Sequence, residues 1–288
     1  MGFLLVDRLV EFTPGKAARG VFAPAPEVVA VPSFMVAEAI GQLAGWLAVE
    51  KADFRSRPVA GLAHEVWSSG FTAAGKVFDL EATLRSYSNE AIVYEGRATL
   101  DGVEVVRVTN CIGPMLPMED FDDPEAVRRR FIDLRERGEE NPLAPDTLDG
   151  LSLVIEERER GKRIRALLDA PFSAPFFADH FPRKPVLPAT ILLDYGLQLA
   201  CAATREALGR EPEARVKETR LRSMKIRQFT PPGTRLELET KVTSASSNQG
   251  LLSFSIRRAP QPGARADGEG QGRALGTARA EVILEQAP

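Results

Sequence analysis

Residues 187–200 read LPATILLDYGLQLA, and this stretch decides the fold because residues 31–44, VPSFMVAEAIGQLA, repeat its pattern. A shift of 156 positions aligns the two. The alignment pairs an initial proline, a central carboxylic acid and a glutamine four residues after the acid, namely Pro32 with Pro188, Glu38 with Asp194, and Gln42 with Gln198. A repeat at this spacing indicates that the chain uses one structural plan twice.

Each copy of the repeat predicts a long helix that is buried on most of its sides. The run from Phe34 to Val49 is apolar almost throughout, and Ser33 is the expected N-cap. In the second half, the run from Thr190 to about Leu208 has the same character. Gly209 follows it and is the expected C-terminal stop.

Segments in which apolar and polar residues alternate follow each helix. A second shift, of 158 positions, aligns residues 71–84 with residues 229–242 and keeps a Phe-Thr-x-x-Gly motif. The alternation predicts antiparallel strands, at FDLEATL, AIVYEGRATL and VEVVRVTNC in the first half and at RLELETKV, LLSFSIRR and ARAEVIL in the second. One helix against an antiparallel sheet is an α+β layer arrangement. The sequence therefore predicts two such units in tandem.

The expected domain limits follow from the repeat. Residues 1–117 and 151–288 are the two units, and the charged residues 118–150 between them are expected to form a solvated linker with one surface helix. Three residues suit the cap, the first position and the stop of that helix, namely Asp123, Pro124 and Gly138. Residues 259–276 are rich in glycine and proline and predict a long hairpin loop without chemistry of its own.

The composition is that of a globular protein, with 44% hydrophobic and 27% charged residues. A net charge of -3 gives no reason to expect nucleic acid or an anionic membrane as a partner. The two cysteines, Cys111 and Cys201, have no metal-site spacing and are expected in the core. No apolar run approaches the roughly 20 residues that a membrane span needs. We expect a cytoplasmic location.

His180 is one of only two histidines, and it lies between aromatic residues in a proline-rich loop that leads into the second helix. The first shift places Pro24 at the matching position, so two acid-bearing helices share one histidine. An imidazole can remove a proton from carbon next to a carbonyl, and a desolvated carboxyl group can protonate a departing hydroxyl. Backbone N–H groups at the helix start, Ala189 and Thr190, can polarise a thioester carbonyl.

The residues around His180 resemble the active-site segment of the bacterial 3-hydroxyacyl-acyl carrier protein dehydratases of hot-dog fold. The matching features are His-Phe-Pro at 180–182, Pro-Val-Leu-Pro at 185–188, and Asp194 fourteen positions after the histidine. Residues 3–16 and 224–239 resemble the N-terminal segment and a strand region of the same family. The resemblance implies two paired units, each a helix wrapped by a curved sheet. The tandem dehydratase domains of polyketide synthases are similar, although their histidine lies in the first half.

In this family the histidine of one unit works with the acid of the other. The resemblance therefore implies that His180 works with Glu38 in one active site per chain, and that Asp194 faces Pro24 in a site without histidine. Asp194 stays as the alternative catalytic partner. The residues expected to contact substrate are Gln42, Phe181, Pro188, Ala189, Thr190 and Gln198.

The activity implied by the resemblance is dehydration of a (3R)-3-hydroxyacyl thioester to a trans-2-enoyl thioester, in fatty-acid or polyketide-type biosynthesis. The expected partner is a thioester of acyl carrier protein or coenzyme A, without a metal or redox cofactor. Two alternatives stay open, a hot-dog acyl thioesterase and a non-catalytic acyl-binding component. The two units would form an internal pseudo-dimer, and further pairing into a homodimer is compatible with the fold.

Overall fold

Helices and strands occupy most of the chain that the structure describes. The computed structural model describes residues 3–28, 31–71, 75–138, 151–259 and 274–286. Within these ranges the α-helices are α1 (Ser33–Lys51), α2 (Pro124–Glu136) and α3 (Ala189–Ala207). The strands in the same ranges are β1 (Arg8–Thr13), β2 (Ala17–Phe22), β3 (Ser56–Pro58), β4 (Leu62–Ser69), β5 (Phe78–Tyr87), β6 (Ala91–Leu100), β7 (Val103–Pro117), β8 (Ser152–Glu159), β9 (Arg163–Asp169), β10 (Val216–Ile226), β11 (Arg235–Ser246), β12 (Gln249–Arg258) and β13 (Gly276–Leu284).

The ends of the two long helices are close to those predicted. Ser33 is the first helical residue of α1 rather than its cap, so the predicted N-cap was wrong by one position. Pro32 takes the cap position because its fixed φ of -58° with an extended ψ suits the entry into a helix. Pro188 does the same for α3. Gly209 has a φ of +60°, which confirms it as the residue that stops α3.

The strands of the described residues form one antiparallel sheet in the order β1-β2-β5-β6-β7-β4-β10-β13-β12-β11-β9-β8, with β3 paired to the end of β7. Counted from each outer edge toward the middle, the strands of the two halves correspond one to one, from β1 and β8 at the edges to β4 and β10 at the junction. α1 packs against β2, β5, β6 and β7, whereas α3 packs against β9, β11, β12 and β13. The predicted α+β class is confirmed.

The junction of the two halves is the pairing of β4 with β10, which runs from Glu218 opposite Ser69 to Lys225 opposite Leu62. α1 and α3 also contact each other on the same side of the sheet. A single cluster of buried apolar side chains includes residues of both helices. The sheet therefore continues across the junction, and one hydrophobic core serves both halves.

The helix of the linker is less solvated than the sequence predicts. Its ends are confirmed, since Asp123 accepts a hydrogen bond from Ala126 N and Gly138 has a φ of +75°. Phe131, however, is buried and packs edge-on against Phe12 and Phe54. One face of α2 is therefore part of the core, because its aromatic side chain fills the space beside β1 and the end of α1.

Some expectations fall on residues outside the described ranges. These are the linker residues 139–150 and residues 260–273 of the expected hairpin loop. The domain limits 1–117, 118–150 and 151–288 stay predictions. Among the residues that the structure describes, no helix is both long and apolar enough to cross a membrane.

Gly96 of β6 sets how closely α1 approaches the sheet. A Cβ atom there would lie 2.4 Å from Ile40 Cγ2 and 2.4 Å from the Glu81 carbonyl oxygen. We expect Gly96→Ala to lower the free energy of unfolding by about 1–3 kcal/mol, because α1 would have to move away from its strands. Urea denaturation measures this.

Gly45→Ala is the matched control for Gly96→Ala. A Cβ atom on Gly45 would meet only Pro58 Cγ at 3.9 Å, which is ordinary contact. Alanine favours a helix by about 1 kcal/mol over glycine, so this variant should be as stable as the unaltered protein or more so. Equal destabilisation by the two substitutions would contradict the packing argument.

Candidate active site

A cavity of about 400 Å³ lies between the two halves. Glu38 and Gln42 of α1 line it from the first half, and His180 and Thr190 line it from the second. Most of the remaining lining is apolar and comes from β3, β4, β7, β10 and the loop before α3. Its volume is within the range of about 300–1,000 Å³ found for small-molecule sites. The cavity is the candidate site because it joins the predicted histidine to an acid from the other half.

His180 is held in a largely apolar setting between a 3-10 turn (Pro175–Ala178) and α3. Its backbone N–H donates to the Phe176 carbonyl at 2.9 Å, and its peptide bond to Phe181 is cis. The imidazole stacks on the Phe181 ring with centroids 4.2 Å apart and meets the Phe3 ring edge-on at 5.4 Å. Aromatic rings from both halves thus fix its orientation.

The imidazole of His180 is neutral at pH 7. Its Nδ1 lies 3.3 Å from the Val186 carbonyl oxygen. Because a carbonyl only accepts, Nδ1 carries the proton in the neutral ring and Nε2 carries the lone pair. Burial, followed by the positive charge of Arg57, lowers the pKa of His180 to about 4, and the backbone hydrogen bonds oppose this. Nε2 is therefore a free base in the physiological pH range.

Glu38 lies in the second turn of α1 and is the acid of the cavity. Burial raises the pKa of its carboxyl group, while Gln42, Thr190 and the charge of Arg57 act in the opposite direction. Gln42 Nε2 donates to Glu38 Oε1 at 3.1 Å. The Thr190 hydroxyl, at the start of α3, lies close enough to the Glu38 carboxyl group to lower its pKa by hydrogen bonding. Desolvation thus favours the protonated carboxyl group that an acid catalyst requires.

Gln42 ties the N-terminal segment to α1. Its Oε1 accepts from Leu5 N at 2.8 Å, and its Nε2 also donates to the Phe3 carbonyl at 2.9 Å. The amide that was predicted to contact substrate is thus hydrogen-bonded to backbone, although it lines the cavity. Its clearest effect is to hold Phe3 against the imidazole.

Asp194 does not line the cavity, and the structure does not bring it to His180. Its side chain is half-buried, and its Oδ2 accepts from Gln198 Nε2 at 2.8 Å. Burial raises the pKa of Asp194 to about 6, and the hydrogen bond from Gln198 opposes this. Gln198 is exposed. The second acid–glutamine pair of the repeat therefore lies apart from the candidate site.

Of the other residues predicted to contact substrate, three line the cavity and one does not. Phe181, Ala189 and Thr190 line the cavity. Pro188 is buried beside it without forming its wall, and its carbonyl accepts from Ile191 N. Their roles toward a substrate stay predictions.

Sequence reasoning missed Arg57, which lines the cavity from β3. Its Cζ lies 3.9 Å from the centroid of the Phe181 ring. Burial lowers the pKa of the guanidinium to about 10, and the charges of Asp122 and Glu38 oppose this. No sequence signal singles out this arginine, because it reaches the cavity only through the pairing of Arg57 with Leu116 of β7.

The linker also contributes to the cavity wall in a way that the sequence did not predict. Five of its residues line the cavity before or within α2, namely Met118, Asp122, Ala126, Val127 and Arg130. The linker is held against the histidine loop, since Arg183 N donates to the Phe121 carbonyl at 2.9 Å and the Arg183 guanidinium bonds Asp123 at 3.3 Å. The segment between the halves is therefore part of the candidate site.

Comparison with known families supports the resemblance to dehydratases in the second half. Residues 156–268 match the family model described as ApeI-like, ApeI dehydratase, and this match covers less than half of the chain.

Two curated relatives are 3-hydroxyacyl-(acyl-carrier-protein) dehydratases named FabZ. The one from Polaromonas sp. strain JS666 is 41% identical over 59 residues, which are 20% of this chain and 41% of that protein. The one from Anaeromyxobacter sp. strain K is 38% identical over 93 residues, which are 31% of this chain and 58% of that protein. The chain thus spans about two fifths to three fifths of the length of these relatives.

Solved structures resemble the whole chain at much lower identity. A tesB protein of Mycobacterium avium subs paratuberculosis has a TM-score of 0.56 and 13% identity, and the match covers 96% of each chain. The acyl-CoA thioesterase II TesB2 from Mycobacterium marinum has a TM-score of 0.52 and 11% identity, and the match covers 97% of this chain and 96% of that one. At such identities these likenesses bear on the fold alone.

The fold and the cavity define a protein of the hot-dog class, in which a long helix packs against an antiparallel sheet. Within that class, the resemblance to the 3-hydroxyacyl-acyl carrier protein dehydratases is confirmed, and the family-model match lies in the second half of the chain.

Asp194 makes the stability of the protein depend on pH. Its pKa of about 6 in the folded protein is above the ordinary value of 3.8, so the bound proton stabilises the fold below pH 4 and is lost as the pH rises through 6. Asp194→Asn removes this ionisation and keeps an acceptor for Gln198. We expect the variant to exceed the unaltered protein in stability by about 1–3 kcal/mol at pH 8 and to match it at pH 4. Urea denaturation across this pH range measures the difference, and a difference that is constant with pH would contradict the account.

Proposed function

We propose that this chain removes water from a 3-hydroxyacyl thioester, and that its halves are two hot-dog units in tandem that share one active site. The observation that carries the proposal is that His180 and Glu38, from opposite halves, line the same apolar cavity. The family match of residues 156–268 and the dehydratase relatives support the same reaction class.

His180 acts as the base on carbon. The proton on its Nδ1 is directed to the Val186 carbonyl, so the lone pair of Nε2 can accept the proton from C2 of the substrate. A pKa of about 4 keeps this nitrogen unprotonated at neutral pH. Base catalysis of this kind contributes about 10²- to 10⁴-fold.

Glu38 acts as the acid on oxygen. The C2–H bond breaks toward His180, the electron pair forms the C2–C3 double bond, and the C3–O bond breaks as Glu38 gives its proton to the hydroxyl. Water and the enoyl thioester leave. The proton on His180 then returns to Glu38 through solvent, so the enzyme regains its starting state without a redox step.

The first turn of α3 is placed to polarise the thioester carbonyl. Ala189 and Thr190 begin the helix and line the cavity. The first N–H groups of a helix have no intrahelical acceptor, and the helix dipole adds positive charge there. Negative charge that develops on the carbonyl oxygen during proton removal would be stabilised at this end of α3.

The cavity continues along α1 in a way that suits an acyl chain. Gly41, Gly45 and Val49 line it at helical spacing beyond Glu38, and Trp46 flanks them. From Glu38 to Val49 the helix rises about 16 Å. Under the shift of 156 positions, Leu197 and Cys201 replace the two glycines in the second half. The substrate class that fits is therefore an acyl thioester, carried by acyl carrier protein or coenzyme A, with its chain along α1.

Activity measurements with three variants test the reaction and the pairing. On 3-hydroxyacyl thioesters of several chain lengths, we expect His180→Ala and Glu38→Gln each to lower kcat by about 10²- to 10⁴-fold, because each removes a proton-transfer group. Asp194→Asn is the matched control, since it alters the repeat-related acid outside the cavity, and it should keep most of the activity. Enoyl-thioester formation is followed directly.

Three outcomes of this experiment contradict the proposal. If Asp194→Asn loses activity and Glu38→Gln keeps it, the catalytic acid is Asp194 of α3 and not Glu38 of α1. Release of free thiol without enoyl product would identify a thioesterase. Binding of acyl thioester without turnover in the unaltered protein would identify an acyl-binding component.

Gly45→Leu tests the path of the acyl chain. A leucine side chain would enter the cavity one turn beyond Gly41. We expect kcat/KM to fall at least tenfold for long-chain substrates and to change little for the shortest active one, because only a long chain reaches that turn. A uniform loss at every chain length would contradict this path.

A further inference from the structure

Arg57 is a half-buried cation in the wall of the cavity, and the proposed reaction assigns it no contact with substrate. It lies on β3 and lines the cavity together with Glu38 and His180. Its guanidinium stays charged at neutral pH, since burial lowers its pKa only to about 10.

The protein satisfies this guanidinium only in part. Its Cζ lies over the Phe181 ring at 3.9 Å and is 6.0 Å from the centroid of the Phe121 ring. Its Nε is buried and has no hydrogen-bond partner within the described ranges. The acids that act on its charge are Asp122 and Glu38, and among the described residues neither forms an ion pair with it. Contact with an aromatic ring offsets part of the desolvation of a guanidinium but leaves its N–H donors free.

A partly satisfied cation in an apolar cavity favours a ligand oxygen that carries negative charge. Arg57 is the charged group from another element that acts on His180, whose other neighbours are Phe3, Phe181 and the Val186 carbonyl. Asp179 is the acid of the same loop that lines the cavity. The positive charge of Arg57 lowers the pKa of both His180 and Glu38. The guanidinium is therefore near the reacting atoms rather than at the far end of the acyl chain.

We propose that Arg57 binds the oxygen of the thioester end of the ligand and stabilises the negative charge that forms there when C2 loses its proton. This inference rests on the proposed function for its catalytic meaning, but the binding of an oxygen anion at Arg57 can be tested without catalysis. The planar guanidinium presents several donors to one anionic oxygen, which an ammonium group cannot do in the same geometry.

The test compares the binding of decanoate and decanol by isothermal titration calorimetry at pH 7.5. The two probes share an alkyl chain, and the carboxylate places anionic oxygen where the thioester carbonyl would lie. We expect the unaltered protein to bind decanoate at least tenfold more tightly than decanol, and Arg57→Met to lose most of this preference, because only the start of α3 is then left to stabilise the carboxylate. Arg57→Lys should keep part of it, because the charge survives without the planar fork. Arg55→Met is the matched control, since Arg55 is exposed two residues away, and it should bind both probes like the unaltered protein.

The binding test can fail or succeed independently of the activity assay that tests the proposed function. The inference would be overturned if the unaltered protein showed no preference for decanoate. It would also be overturned if Arg57→Met kept the preference of the unaltered protein. Loss of the preference in Arg57→Met, in a protein that dehydrates no substrate, would keep the oxygen-binding inference and reject the dehydratase. If both hold, Arg57→Met should lower kcat by about 10²- to 10³-fold with a smaller change in KM, because the interaction strengthens in the transition state.

Discussion

The pairing of β4 with β10 is the constraint on which the rest of the structure depends. It joins two six-stranded halves into one sheet, so that the helices of both halves lie on the same side. Polar contacts reinforce it, since Arg222 bonds Glu65 of the first half and Glu281 of the second at 2.9 Å each. Trp67 Nε1 also donates to Glu218 across the junction. Arg222 of β10 thus forms ion pairs both across and beside the junction.

The two copies of the repeat are unequal in their side chains although their strands are arranged alike. In the first half, Gln42 holds residues of the N-terminal segment, and its acid faces the cavity. In the second half, Gln198 is exposed and its acid lies outside the cavity. One copy supplies an acid and a channel beside its helix, whereas the other supplies a histidine and the start of a helix. The two halves, which share one repeat, thus contribute different residues to a single cavity.

The features that sequence could predict are those that depend on local pattern. The two long helices, the strands after them and the stop at Gly209 follow from periodicity and glycine preference. The placement of His180 and Glu38 in one cavity could be expected only from the resemblance to the dehydratases, whose units pair. Arg57 could not be predicted, because it reaches the cavity through a short strand whose partner lies far along the chain. The burial of Phe131 also depends on aromatic rings contributed by distant segments.

The position of Phe3 couples sequence changes in one half of the chain to the site residues of the other half. Its carbonyl is bound by Gln42 of its own half, while its ring lies against the imidazole of the other half. A substitution in the N-terminal segment therefore alters the surroundings of a histidine that lies in the other copy of the repeat. Two halves with such a contact cannot be exchanged one at a time. They must vary together, as the parts of a single domain do.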